Sequence, residues 1–235
     1  MKKNIALLIA MICLSCNNSK QISITKLKGS PSYENSKLNI QNISFDDKEY
    51  DFSFGVEDYK LGVQTQNNFK HELANSTKGQ HIHLIVNNNP YSAHYSERFK
   101  KVLEGENNVI LAFLSRSHHE SVKNKNAYAL IQISKEEIDL NNEFLFYSRP
   151  KGVYKGKDTE KLLLDFYLVN TKISAQGNKV RATIQDSEFI IEEWAPHYIE
   201  GLPKGKISIK LELLNEKGNL VDSPFNPSTR TVILE

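Results

Sequence analysis

The chain has 235 residues, 39% hydrophobic and 25% charged, with a formal net charge of +2. That balance suits one or two ordinary globular domains and excludes a wholly disordered chain. Lys2 and Lys3 lie in a segment expected to be removed, and no basic run follows, so nucleic acid is excluded as a partner.

Met1-Lys2-Lys3 followed by the apolar run Ile5 to Leu14 reads as an export signal, residues 1–15, too short to span a bilayer as a helix. It ends in Leu14-Ser15-Cys16-Asn17-Asn18-Ser19, which resembles the lipobox of bacterial lipoproteins. The resemblance implies that Cys16 is diacylated and that the protein is anchored in the bacterial cell envelope, at the outer membrane, without spanning it. Cys13 stands where that family carries an aliphatic residue, and an ordinary secretory signal cleaved nearby is the alternative. Both cysteines fall here, so the exported part has no disulfide framework and no thiol chemistry. Residues 16–42, rich in Ser, Asn and Lys, read as a lipidated tether.

Tyr50 to Val56 alternates apolar and polar residues, and Tyr59 to Val63 does so again, as half-buried antiparallel strands do. Gly79-Gln80-His81-Ile82-His83-Leu84-Ile85-Val86 is a third strand, followed by an Asn-rich turn, Asn87 to Pro90. A glycine turn at Gly105 leads into Val109, Leu111 and Phe113, and a loop from Ser115 to Asn126 precedes the strand Ala127 to Ile133. Ser134 to Asn141 is a connector, either one helical turn with Ser134 and Glu137 as a capping box or a plain charged linker. Leu162 to Val169, more continuously apolar and broken only by Asp165, is a strand covered on both faces where two modules meet, or a short buried helix.

The pattern then repeats. Gly177 to Ile184 matches Gly79 to Val86, Gly205 matches Gly105, Ile207 to Leu213 matches the Val109 strand, and Thr229 to Leu234 closes the second copy. Short strands at intervals of about ten residues, with no long helical period, indicate an all-β fold of two tandem immunoglobulin-like β-sandwich modules. Their expected bounds are 43–134 and 144–235, joined by a linker at 135–143. Side chains alternate along a strand, so Ile82, Leu84 and Val86 match Val180, Ala182 and Ile184 on the core face. His81, His83 and Ile85 then match Lys179, Arg181 and Thr183 on a face expected to be accessible.

Six of the seven histidines, His71, His81, His83, His94, His118 and His119, lie in the first module. A fold requirement common to both copies does not explain that asymmetry. His81 and His83 project from one strand face with Cβ atoms roughly 7 Å apart, close enough to share a metal. His118 or His119 is a candidate third ligand, with Glu120 or His94 as a fourth or an outer partner. With no thiolate to compete, imidazole donors suit a Cu or Zn ion. Solvated histidines hydrogen-bonded to their neighbours are the plainer reading of the same residues.

From Gly79 to Ile133 the first module resembles a group of exported, histidine-rich β domains of unknown function, through His81, His83, Leu84, His94, His118 and His119. The whole chain is similar to uncharacterised Bacteroidetes-type lipoproteins carrying Phe113-Leu114-Ser115-Arg116-Ser117-x-His119-Glu120-Ser121-x-Lys123. Neither resemblance implies an activity. A second functional reading places an anionic ligand such as a phosphopeptide, or a glycan, on Ser115, Arg116, Ser117, His119, Glu120 and Lys123, which offer hydroxyls and cations. That loop faintly resembles the Ser-x-x-His of forkhead-associated domains, without their upstream Gly-Arg. Trp194-Ala195-Pro196-His197-Tyr198 packs a core or interface, or stacks on a sugar. No Gly-x-Ser-x-Gly, His-Glu-x-x-His or Gly-x-x-x-x-Gly-Lys motif occurs, so the reading is non-enzymatic, with a protein or glycan partner.

Overall fold

The computed structural model describes residues 21–66 and 72–235. The signal, Cys13, Cys16 and His71 lie outside them. Among the described residues sixteen strands build two sandwiches. In the first, β2 (Lys37–Asp46), β3 (Glu49–Glu57) and β6 (Arg98–Lys101) form one sheet in the order β2-β3-β6. The facing sheet, β5-β4-β7-β8, contains β4 (His81–Val86), β5 (Ser92–His94), β7 (Asn107–Ser115) and β8 (Tyr128–Ser134). In the second, β9 (Phe144–Arg149), β11 (Lys161–Val169) and β14 (His197–Glu200) repeat the three-stranded sheet, and β1 (Ser23–Lys26) is added at its edge. The other sheet, β10-β16-β15-β12-β13, comprises β10 (Val153–Tyr154), β12 (Lys179–Ile184), β13 (Ser187–Ile191), β15 (Gly205–Leu214) and β16 (Ser228–Leu234).

Without β1 and β10 the two wirings are the same, three strands on four, and the immunoglobulin-like tandem follows from that order. The registers agree as well. Ile82 pairs with Leu114 and Val86 with Ile110, while Val180 pairs with Leu213 and Ile184 with Ile209. Residues 79–86 and 177–184 therefore occupy equivalent places. The loops after β7 and β15 also close alike, by bridges Ser115 to Ser121 and Leu214 to Leu220.

Each sandwich has its own core. Ile82, Leu84, Phe52 and Phe54 belong to the first, and Val180, Ala182, Leu164 and Phe166 to the second. A third apolar cluster fills the seam between modules, where Ile85, Val109, Leu111 and Phe113 from β4 and β7 meet Phe144, Phe146, Tyr167 and Val169 from β9 and β11. β11 is thus a strand buried on both faces, and the helical alternative for Leu162 to Val169 does not hold.

Four expectations need correcting. Residues 16–42 are not a free tether from residue 21 onward: β1 pairs antiparallel with β14, Leu27 is buried, and β2 begins at Lys37. Tyr59 to Val63 is turn and coil, because Gly62 at φ +74° and the buried Tyr59 ring end the alternation. The 135–143 connector contains no helical turn; Ser134 ends β8 and its hydroxyl bonds Asn107 Oδ1 and the Glu136 carbonyl instead. Finally, the His81 and His83 face is covered, not accessible, since the second module packs over it.

Candidate metal centre

The alternation of β4 sends Ile82 and Leu84 into the first core and His81 and His83 into the seam, where both rings are fully buried. Their Nε2 atoms are 2.8 Å apart. His81 Nδ1 lies 2.8 Å from the Gly79 carbonyl oxygen, which only accepts, so that nitrogen carries the proton and Nε2 presents a lone pair. The third ring comes from the return loop after β7. His119 has φ +69° and occupies the place that Gly218, at φ +80°, fills in the second module; in both loops this residue's N–H bonds the carbonyl three residues earlier.

That backbone aims His119 Nδ1 at His81 Nε2, 3.2 Å away, and the three donor nitrogens all lie within 4.8 Å of one another. Metal–nitrogen bonds of about 2.0–2.1 Å set tetrahedral donors about 3.3 Å apart, so the spacing suits one ion. In the neutral rings His83 Nε2 and His119 Nδ1 compete for a single lone pair on His81. A shared cation would take all three.

Burial keeps these rings neutral. Desolvation lowers His81 to about 4, with the nearby charges of Arg149 and Lys151 adding to it against the Gly79 hydrogen bond. Burial likewise pushes His83 and His119 well below the usual imidazole range, and the same two cations and the neighbouring rings push further. Neutral imidazoles bind a metal near neutral pH without net release of a proton, a ring that donates to His81 changing tautomer as it does so. His83 Nδ1 is buried without a hydrogen-bond partner.

The other sequence candidates are elsewhere. His94 pairs across the sheet with Ile82, which places it on the first-core side, where it stacks on Phe99 at 3.5 Å and bonds Ser92. It is not a ligand to this cluster. His118 is outside the three-nitrogen group, its Nε2 donating to Glu120 Oε2 at 2.9 Å. Glu120 also pairs with Arg116 at 3.0 Å and accepts from Ser30. Burial raises its carboxyl, but His118, Arg116 and Lys123 outweigh this and hold it at about 2.

The proposed anion or glycan loop is likewise internal. Arg116 is 4% exposed and spends its donors on Glu120 and the Pro31 and Ser121 carbonyls. Ser115 is fully buried, and Ser117 exchanges hydrogen bonds with Thr65. Lys123 pairs with the fully buried Asp165 of β11. These groups staple the loop to the N-terminal segment and the second module and are not free for a ligand. Trp194 packs edge-on against Tyr167 at 5.0 Å and donates to the Phe166 carbonyl, an interface role.

Three neighbours of the cluster escaped the sequence reading. Tyr91 follows the Asn87 to Pro90 turn, and Arg149 and Lys151 flank Pro150, with no motif around either. Tyr91 is 3% exposed, stacks on His83 at 3.4 Å and 17°, and places its hydroxyl 3.2 Å from His119 Nδ1. Arg149 and Lys151 reach it from the second module, where nothing in sequence order signals their proximity.

No family model and no curated protein matches the chain. Among solved structures, it is similar to the fibronectin(III)-like modules of Clostridium thermocellum CbhA, at 10% identity over 84% of this chain and 94% of that one, with a TM-score of 0.31. It is also similar to the FN1–FN3 domains of chicken CNTN1, at 10% identity over 88% and 68%, with a TM-score of 0.23. The two tandem V-type regions of VCBP3, a v-region-containing chitin binding protein, match at 8% identity over 91% and 99%, with a TM-score of 0.24. The fold assignment rests on the strand order described above.

Proposed function

We propose that this is a non-enzymatic, lipid-anchored envelope protein whose first sandwich binds one Cu or Zn ion through His81, His83 and His119. The observation that carries this reading is the convergence of three imidazole nitrogens within 4.8 Å, all at positions where the second copy has other residues. An ion held by the buried rings of His81 and His83 and the half-buried ring of His119 would tie the loop after β7 to β4, a stabilising role. Anchoring at Cys16 is supported by the lipobox-like sequence alone. Only residues 17–22 would then separate the lipid from β1, a reach of about 20 Å, which holds the second module next to the bilayer.

The test is Zn(II) titration of the full chain carrying Cys13→Ser and Cys16→Ser, which removes competing thiols, beside the same chain with His119→Gly. One equivalent should bind, and at a hundredfold excess over Kd stability should rise by about 2.7 kcal/mol. That corresponds to a melting increase of about 5–10 °C at this chain length. His119→Gly should abolish the increase. Equal stoichiometry and equal melting shifts in the two chains would remove the metal reading.

A further inference from the structure

We infer that Tyr91 is the fourth ligand of this centre, binding the ion through a phenolate oxygen. The inference rests on the three-histidine reading and deepens it. The first argument is geometric. Tyr91 Oη lies 3.2 Å from His119 Nδ1, the same spacing that separates His119 Nδ1 from His81 Nε2, so the oxygen borders the donor set at His119. Stacking on His83 at 3.4 Å fixes the phenol in that place. His81 and His83 are fully buried, His119 is half-buried and Tyr91 is 3% exposed, so the phenol oxygen is a donor the protein itself holds beside the rings.

The second argument is charge. Arg149 is 8% exposed and donates to Tyr154 Oη at 2.9 Å, while its Nε is buried without a partner. Lys151 Nζ stands 3.9 Å from the Tyr91 ring centre and donates to the Tyr91 carbonyl at 2.8 Å. Arg230, 9% exposed, donates to the Ser148 and Asn88 carbonyls and lies over Tyr147. Among the described residues no Asp or Glu forms an ion pair with any of these three cations. A dication held only by neutral imidazoles would add two charges beside them. A phenolate is the anion within reach: the Oη–H bond breaks, its proton leaves to solvent, and the oxygen lone pair binds the ion. A hard oxygen donor beside three imidazoles favours an oxidised ion such as Cu(II) over a soft one.

The test loads Cu(II) into the full chain with Cys13→Ser and Cys16→Ser, and into the same chain with Tyr91→Phe or His119→Gly, following uptake and the visible spectrum together. Tyr91→Phe retains the ring that stacks on His83 and lacks only the oxygen. The wild-type site should show a phenolate-to-copper charge-transfer band. Tyr91→Phe should still take up copper on its imidazoles, at least about tenfold more weakly, with the band gone. Copper uptake without the band in the wild type, or a band that survives Tyr91→Phe, overturns the phenolate ligand and leaves the histidine site standing. Uptake unaffected by His119→Gly overturns both.

Discussion

His119 sits at φ +69°, in the left-handed region that costs a side chain with a Cβ about 1 kcal/mol and glycine almost nothing. The second module uses Gly218 at that place, so the first accepts strain that its twin avoids, and the imidazole is what it retains by doing so. His119→Gly should therefore be more stable than His119→Ala by about 1 kcal/mol, although both lose the same ring. Chemical denaturation of the metal-free variants checks this, and equal midpoints would show that the backbone is relaxed there. The buried rings also set a pH dependence. His81 has a folded pKa of about 4 against 6.5 when exposed, so below pH 6.5 the unfolded chain takes up a proton that the folded one refuses. Its contribution is intact above about 6.5 and is lost as pH falls toward 4; at pH 4.5 His81 alone costs about 2.5 kcal/mol. His83 and His119 are shifted in the same direction and steepen the loss. Denaturant midpoints from pH 7.5 to 4.5 should fall accordingly, and His81→Asn should flatten the slope; an unchanged slope would mean that this ring is not held neutral.

At the scale of elements, the duplication was readable because the core faces carry apolar residues at the same spacing: Ile82, Leu84 and Val86 of β4 against Val180, Ala182 and Ile184 of β12, and Ile110, Ala112 and Leu114 of β7 against Ile209, Leu211 and Leu213 of β15. β2 was not. Its apolar residues fall at Leu38 and Ile40 and then at Ile43 and Phe45, because a bulge between Ile40 and Asn42 inserts a residue and reverses the phase. A period of two cannot be recognised across such a step, so the strand merged with the polar segment before it. β1 was hidden for another reason: four residues, Ser23–Lys26, become a strand only because β14, more than 170 positions later, offers a free edge. Of the site, the residue types and the copy that carries them were legible in sequence. The burial of His81 and His83 was not, since it depends on the second module, and Tyr91 looks like any turn aromatic. A fragment beginning at residue 43 cuts β2 and removes β1 with the buried Leu27 and Leu38. Losing either leucine costs roughly 2–5 kcal/mol, so that fragment should be unfolded or strongly destabilised beside one beginning at residue 21. Circular dichroism melts of the two compare them directly, and equal melting temperatures would show that both strands are dispensable.

For the whole molecule the deciding feature is the seam. Phe113, Phe144, Phe146 and Tyr167 are fully buried there, and Asn88, Ser121 and Lys123 of the first module hydrogen-bond Tyr147 and Asp165 of the second. Tyr167 also donates to the Val122 carbonyl at 3.2 Å. Separating the modules would expose this apolar surface together with the histidines, so the rings stay desolvated only while the seam is closed. The two sandwiches should accordingly unfold as one unit, unlike modules on a flexible linker. Trp194, the single tryptophan, packs on Tyr167 at the seam, so its fluorescence reports opening while circular dichroism reports the sheets. The two signals should give coincident transitions. Phe146→Ala, remote from the imidazoles in sequence, should cost about 3–5 kcal/mol and lower the midpoint of both signals together. It should also weaken metal binding, because the binding-competent closed state becomes less populated. A fluorescence transition that precedes the loss of strand signal, with metal affinity unmoved by Phe146→Ala, would show that each sandwich stands alone and that the site needs only the first.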